Sequence, residues 1–171
     1  MTQPRLEATG ATPEERFRSL FARHYAAVYR YAGRRLGADE AADAAAEAFT
    51  VAWRKMGHVP AEPDTLPWLY GVARRVVANA ERSRRRRRRL AARAAEGGPA
   101  GAMDPDPAGV LAALGALPAG DREVLRLAAW EGLGPQEMGK VLGCSPNAAA
   151  IRLHRARRRL EGAMDDTGDQ P

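Results

Sequence analysis

The sequence predicts an all-α protein: two small helical domains joined by a flexible linker, the second a helix-turn-helix. Three observations carry that expectation. Thirty-six of the 171 residues are Ala, whereas Val, Ile and Thr together number only 16. Sheets draw on β-branched and aromatic residues and helices on Ala, Leu, Glu and Arg, so a β-rich fold is excluded. Apolar residues recur at three- and four-residue steps between recognisable helix starts and stops. A tract rich in Gly, Pro and Asp divides the chain near its middle.

The first helix starts at Thr12-Pro13-Glu14-Glu15, with Thr12 as N-cap, Pro at the first helical position and acids in the first turn. Phe17, Leu20, Phe21, His24, Tyr25, Val28 and Tyr31 form its apolar face, and it ends near Gly37. His24 lies on that face with no second ligand at helical spacing, which favours a packed core histidine over a metal site. The second helix runs over residues 39–56, with Ala42, Ala45, Ala46, Phe49, Ala52, Trp53 and Met56 as its apolar face. Asp39, Asp43 and Glu47 step by four along another face, with Glu40 beside them. By itself such a stripe reads as solvated surface; in a protein otherwise aimed at polyanions it cannot face DNA and suits a basic protein surface.

Residues 57–66 hold Gly57, Pro60 and Pro63, with Pro67 following, and read as a loop. Thr65 and Pro67 open a third helix, whose stripe is Trp68, Leu69, Val72, Ala73, Val76, Val77 and Ala80. It runs into the basic block. Residues 12–90 then form one three-helix domain. Residues 91–107 form the flexible linker and residues 108–164 the second domain. There Val110, Leu111, Leu114 and Leu117 make a short helix. The next helix turns Val124, Leu125 and Ala128 inward and stops at Gly132. Residues 134–145 read as helix, tight Gly143 turn and new cap. Ser145 and Pro146 open the last helix, which carries Ile151, Leu153, Ala156 and Leu160, and an acidic, disordered tail begins at Asp165.

The formal charge is +6, from 27 Lys and Arg against 21 Asp and Glu. Ten arginines and one acid fall between residues 74 and 93, including six consecutive arginines at residues 84–89, so the rest of the chain is slightly acidic. That concentration points to a polyanionic partner, although an arginine run by itself also reads as a solvated helix end. Two short helices around a Gly turn, the second basic, point to duplex DNA. Asn147, Arg152 and Arg155 are placed to reach base edges or phosphates, and residues 157–159 add phosphate contacts.

A single cysteine, Cys144, excludes an intramolecular disulfide framework and a Cys-cluster zinc site, and its setting favours a small packed residue over a redox switch. No apolar run is long enough to cross a bilayer and the first ten residues carry no secretory pattern, so the expected location is the cytoplasm. The sequence holds no Gly-Lys-Ser phosphate loop and no His-Glu-x-x-His. We therefore expect no enzyme activity, no metal and no cofactor.

Taken together, the segments resemble an extracytoplasmic-function sigma factor, the two-domain form of the bacterial RNA polymerase specificity subunit. Residues 17–31, then Ala42, Asp43, Glu47, Phe49, Ala52, Trp53 and Arg54, then Trp68-Leu69-Tyr70-Gly71-Val72-Ala73-Arg74 follow sigma region 2 in order. Leu117-Pro118, residues 121–125, Glu131-Gly132-Leu133, residues 141–145 and residues 152–157 follow region 4. The separation leaves no room for region 3.

The resemblance implies that the first domain binds the β′ clamp helices of polymerase core through Asp39, Asp43, Glu47, Phe49 and Trp53. It implies that the loop at residues 57–66 captures a flipped base of the −10 element. Arg74, Arg75, Asn79 and Arg82 would then hold the opened strand, with Trp68 and Tyr70 available to stack on bases, although core packing weighs more heavily for Trp68. Through Ser145, Asn147, Arg152 and Arg155 the second domain would read the −35 duplex, and it would also bind the β flap. An anti-sigma factor is a further implied partner, with the apolar edges around Phe49, Trp53 and the linker end of the first domain as its candidate surface.

Three positions depart from the family pattern. Ala46 replaces a common Gln, Arg75 a common Asn, and Ala148-Ala149-Ala150-Ile151 a common Thr-Val-Lys-Ser. With so few polar groups left at the start of the recognition helix, −35 preference is expected to rest on methyl contacts and duplex shape. Two other classes stay open at this point. One is a stand-alone helix-turn-helix regulator; the other is an RNA-binding or membrane-surface module using the arginine run.

Overall fold

The computed structural model describes residues 10–94 and 110–168. Among them are seven α-helices, one 3-10 turn and no strand: α1 (Pro13–Leu36), α2 (Ala38–Arg54), the turn Met56–His58, α3 (Thr65–Ala94), α4 (Val110–Ala116), α5 (Ala119–Ala129), α6 (Pro135–Leu142) and α7 (Pro146–Gly168). The chain divides into two compact units, Met1–Ala94 and Ala95–Pro171. The first helical unit extends past residue 90, because residues 91–94 continue α3 rather than opening a linker. The remainder of the expected linker, residues 95–107, lies outside the described residues.

In the first unit α1, α2 and α3 pack against one another in all three pairings. Thr12 and Glu15 close a capping box at the start of α1: the Glu15 amide donates to Thr12 Oγ1 at 3.2 Å and the Thr12 amide to Glu15 Oε2 at 2.8 Å. Acids in its first turn and Arg34 and Arg35 in its last complement the helix dipole. Gly37, at φ +92°, ends α1 and starts α2 within one residue, a backbone that favours glycine.

The faces of these helices are rotated from those expected. On α1 the buried residues are Leu20, His24, Val28, Tyr31, Ala32 and Leu36, while Phe21 and Tyr29 are exposed and Phe17 and Tyr25 half-buried. The row Phe17–Phe21–Tyr25–Tyr29 lies beside the buried Leu20–His24–Val28–Ala32–Leu36 row, on the flank of α1 where Phe17, Phe21 and Tyr25 meet the Phe49 ring of α2. On α2 the core takes Ala41, Ala44, Ala45, Ala48, Phe49 and Ala52, leaving Ala42, Ala46 and Trp53 outside. Small residues let the helices approach closely; a Cβ on Gly33 of α1 would lie 3.5 Å from that of Ala41. On α3, Leu69, Tyr70, Val72, Ala73, Val76 and Val77 are buried. The Tyr31 and Tyr70 rings meet inside at 5.2 Å, and the Arg35 guanidinium lies over the Tyr31 ring at 3.5 Å.

In the second unit α7 packs on α4, α5 and α6. Leu127, Met138, Ala149 and Ala156 are fully enclosed, with Ala113, Leu117, Val124, Val141 and Leu153 around them. Val110 and Leu111 of α4 and Ile151 of α7, though apolar, are exposed. Asp121 on α5 pairs with Arg159 on α7, and Arg122 donates to the Gly115 carbonyl at 2.7 Å, satisfying the end of α4. The acidic stretch from Asp165, expected to be disordered, continues α7 to Gly168.

Candidate nucleic-acid interface

On α2 the acids Asp39, Asp43 and Glu47 are all exposed along one line. Glu40 does not join them. It turns toward α3, where its carboxylate lies 4.0 Å from Arg87. Beside the acidic line runs an open groove of about 680 Å³, whose apolar walls are Phe17 and Phe21 of α1 and Ala46, Phe49 and Trp53 of α2. Phe17 meets the Trp53 ring edge-on at 5.2 Å, and Phe21 meets Phe49 at 5.0 Å. Trp53 is 41% exposed, so it can be touched by a partner, whereas Phe49 is 2% exposed. The expectation that Phe49 is itself a contact surface is therefore corrected. Its ring braces the groove from inside the core because position 49 falls on the alanine face that α1 and α3 enclose. Phe17 and Phe21 line the groove although the sequence places both on the core face; their i, i+4 spacing is shared with the buried Leu20–His24–Val28 row and does not tell the two apart.

Arg74, Arg75, Asn79 and Arg82 are exposed on α3, and Arg75, Asn79 and Arg82 share one stripe at steps of four and three. Arg82 donates to the Asn79 side-chain carbonyl, which fixes the amide as acceptor toward its neighbour. Residues 85–89 are exposed beyond the last buried residue, Val77. Trp68 is half-buried at the helix start. Tyr70 is 5% exposed and packed on Tyr31, so the stacking role expected for it is corrected: presenting that ring to a base requires opening the core.

The loop before α3 is tied to its surroundings. Thr65 Oγ1 donates to the Pro60 carbonyl at 2.9 Å, and the buried His24 ring shares a hydrogen bond with Glu62 Oε1 at 2.9 Å. His24 is thus a packed histidine, as its position on α1 implied, but with a polar partner 38 residues away that spacing does not reveal. Arg23 lies 3.8 Å from the same carboxylate oxygen.

In the second unit α6, the turn and α7 form the expected helix-turn-helix. Gly143 takes φ +68° and ψ 40°, the left-handed region. The Cys144 amide donates to the Gly139 carbonyl at 2.9 Å. A Cβ at Gly139 would lie 2.7 Å from the Cys144 carbonyl oxygen and 3.3 Å from the Pro146 nitrogen. Gly139 is therefore the residue that lets α6 and the start of α7 meet, and the sequence reading passed over it. Ser145 Oγ accepts from the Ala148 amide at 3.2 Å and caps α7, so its hydroxyl is engaged in the turn while its exposed side retains a donor. Asn147, Arg152 and Arg155 are exposed on α7 with Ile151 among them. Arg159 faces Asp121 instead of a phosphate. Cys144 is a half-buried free thiol in the turn.

Among the described residues, an all-helical architecture with an acidic line on α2, an arginine-lined α3 and a separate helix-turn-helix has the features of a nucleic-acid-binding protein. The chain matches Sigma-70 region 2 over residues 20–88 and Sigma-70, region 4 over residues 109–160. It is 32% identical to the RNA polymerase sigma factor CarQ of Myxococcus xanthus, over 90% of this chain and 91% of that protein. It is 35% identical to the Probable RNA polymerase sigma factor RfaY of Xanthomonas campestris pv. campestris, over 71% of this chain but 33% of that protein's length. Among solved structures it resembles CnrH in complex with the cytosolic domain of CnrY, with a TM-score of 0.63 and 28% identity over 90% of this chain and 89% of that one. Its fold is also that of the sigma factor RpoE in complex with the anti-sigma factor NepR from Bartonella quintana, with a TM-score of 0.60 and 22% identity over 87% of this chain and 96% of that one. The chain belongs to the sigma-70 family of RNA polymerase sigma factors, and its two regions and structural neighbours are those of the extracytoplasmic-function group. Members of this family are non-enzymatic transcription initiation factors. Among the described residues no helix is long and apolar enough to cross a membrane.

Proposed function

We propose that this sigma factor acts in the cytoplasm purely by binding, with no catalytic step and no cofactor, and that its three charged faces divide the work. The α2 face of Asp39, Asp43 and Glu47, with Trp53 and the Phe17–Phe21 groove beside it, docks on the β′ clamp helices of polymerase core. The loop before α3 takes a flipped base of the −10 element. Arg74, Arg75, Asn79 and Arg82, with the following arginines, hold the opened non-template strand, and the half-buried Trp68 borders that strand. Unstacking a base costs a few kcal/mol, so the loop must be held in place, and the His24–Glu62 and Thr65–Pro60 hydrogen bonds do this.

In the second unit α7 enters the −35 major groove. Asn147 and Arg152 approach base edges, Arg155 approaches phosphate, and Ser145 sets the helix start; the same unit meets the β flap. Two weak DNA contacts joined through one chain and one polymerase gain from effective concentration. An anti-sigma factor that covers the α2 groove would hold the protein inactive; RpoE, which shares the fold, forms a complex with the anti-sigma factor NepR.

The observation that carries this reading is the segregation of charge: the exposed acids Asp39, Asp43 and Glu47 along one line of α2, arginines on the exposed stripe of α3 and from Arg152 onward on α7. Footprinting a promoter with polymerase core tests it. Protection of both the −10 and −35 elements only when core and this protein are present together is the expected result. The self-contained helix-turn-helix favours a second reading, a stand-alone duplex-binding regulator. Equal protection by the protein without core would establish that instead.

A further inference from the structure

The exposed face of α7 holds one side chain that charge does not explain. Ile151 is 43% exposed. It lies four residues after Asn147 and four before Arg155, so the three share one stripe of the helix. Ala148 and Ala150 beside it are half-buried and carry only methyl groups, while the neighbouring exposed positions Arg152 and His154 are polar. A lone exposed apolar residue is ordinary on a protein surface. This one stands in the second turn of the helix that the tight Gly139–Gly143 turn presents outward, where the side chains able to hydrogen-bond bases are fewest.

We propose that Ile151 is a specificity-determining residue that packs on the C5-methyl group of one thymine in the −35 duplex. The inference rests on the reading of α7 as the helix that enters the major groove. The thymine methyl is the apolar feature of the major-groove base edges, and it distinguishes T from every other base there. Isoleucine suits it: two heavy atoms on Cβ restrict χ1 in a helix, so little side-chain freedom is lost on docking. The methyl-sized neighbours let the helix backbone come close to the groove floor, and Arg155 fixes the register through a flanking phosphate. Specificity at that position is then carried by shape and desolvation instead of a hydrogen bond.

The test uses holoenzyme assembled from the full chain and polymerase core, on a promoter recovered by sequencing the 5′ ends of its transcripts. Each −35 thymine, on either strand, is replaced in turn by deoxyuridine, which deletes the methyl group and leaves the hydrogen-bonding edge intact. One position should show a loss of about three- to fivefold in affinity with the wild-type protein, the loss expected for one buried methyl. Ile151→Ala should bind the thymine promoter weaker by a similar factor and no longer distinguish thymine from deoxyuridine at that position. The variant should melt at the wild-type temperature, because the side chain is exposed. A wild-type protein indifferent to every deoxyuridine, or an Ile151→Ala variant that keeps the wild-type preference, overturns the proposal. The underlying reading is tested separately: if the double variant Arg152→Ala/Arg155→Ala keeps full −35-dependent affinity, α7 is not on the duplex at all. If it loses that affinity while deoxyuridine has no effect, only the role of Ile151 is wrong.

Discussion

Arginine is presented in different ways on α3 and α7. On α3 the last buried residue is Val77, and residues 85–89 stand exposed two to three turns beyond it, unconstrained by any tight turn. On α7 the exposed Asn147 and Arg152 sit within two turns of a helix start fixed by Gly139, Gly143 and the Ser145 cap. Charge held far from a core binds a polyanion without regard to its sequence, because phosphate contacts carry no base information. Charge held next to a rigid turn has a defined position and so can contribute to readout. On the proposed reading the molecule separates affinity for an opened strand from recognition of a duplex, and it uses different local structure for each.

The largest effect expected from breaking that contrast comes from Gly139. A Gly139→Ala substitution drives a Cβ into the backbone carbonyl of Cys144 and should cost about 1–3 kcal/mol of stability. Denaturant unfolding of the full chain should show the loss in the transition of the second unit, with that of the first unchanged. Next is the arginine run. Replacing all six arginines at residues 84–89 by Ala keeps the helix but removes up to six phosphate contacts. The slope of log affinity against log salt for opened promoter DNA should become shallower by about 4, with −35 base preference retained.

On the acidic face, the charge reversal Asp43→Lys/Glu47→Lys should weaken core binding by roughly tenfold at low salt and leave helix content unchanged. Unchanged core affinity would count against that face. The smallest effect expected is that of Ser145→Ala, which removes the α7 cap and should lower stability by about 1 kcal/mol.

Helix number, order and type were legible in the sequence because caps and stops are local chemistry. The Thr12–Glu15 box, the Gly143 turn and the Ser145 cap all depend on residues within a few positions of each other. Which face of each helix is buried was less legible. In α2 alanines occupy nearly every position between Ala41 and Ala48, so composition does not choose a side; the choice is made by how α1 and α3 enclose it. That is why Phe49 went inside and Ala46 and Trp53 outside. Tyr70 was read as a stacking platform because its type fits that role, yet its packing against Tyr31 comes from a residue 39 positions earlier. The His24–Glu62 pair is hidden for the same reason. Apolar type groups Ile151 with Leu153, Ala156 and Leu160 on α7, whereas Ala149, Leu153 and Ala156 fill its buried side and leave Ile151 out.

The central claim is that both helical units act together on promoter DNA only through polymerase. Run-off transcription on genomic DNA, using core polymerase from the same organism and sequencing the 5′ ends, tests it most directly. The account predicts a set of start sites that appear only when this protein is added, share one pair of upstream elements at fixed spacing, and weaken when either the α3 arginines or Arg152 and Arg155 are replaced. No added start sites under any condition, with core that responds normally to another sigma factor, would contradict it.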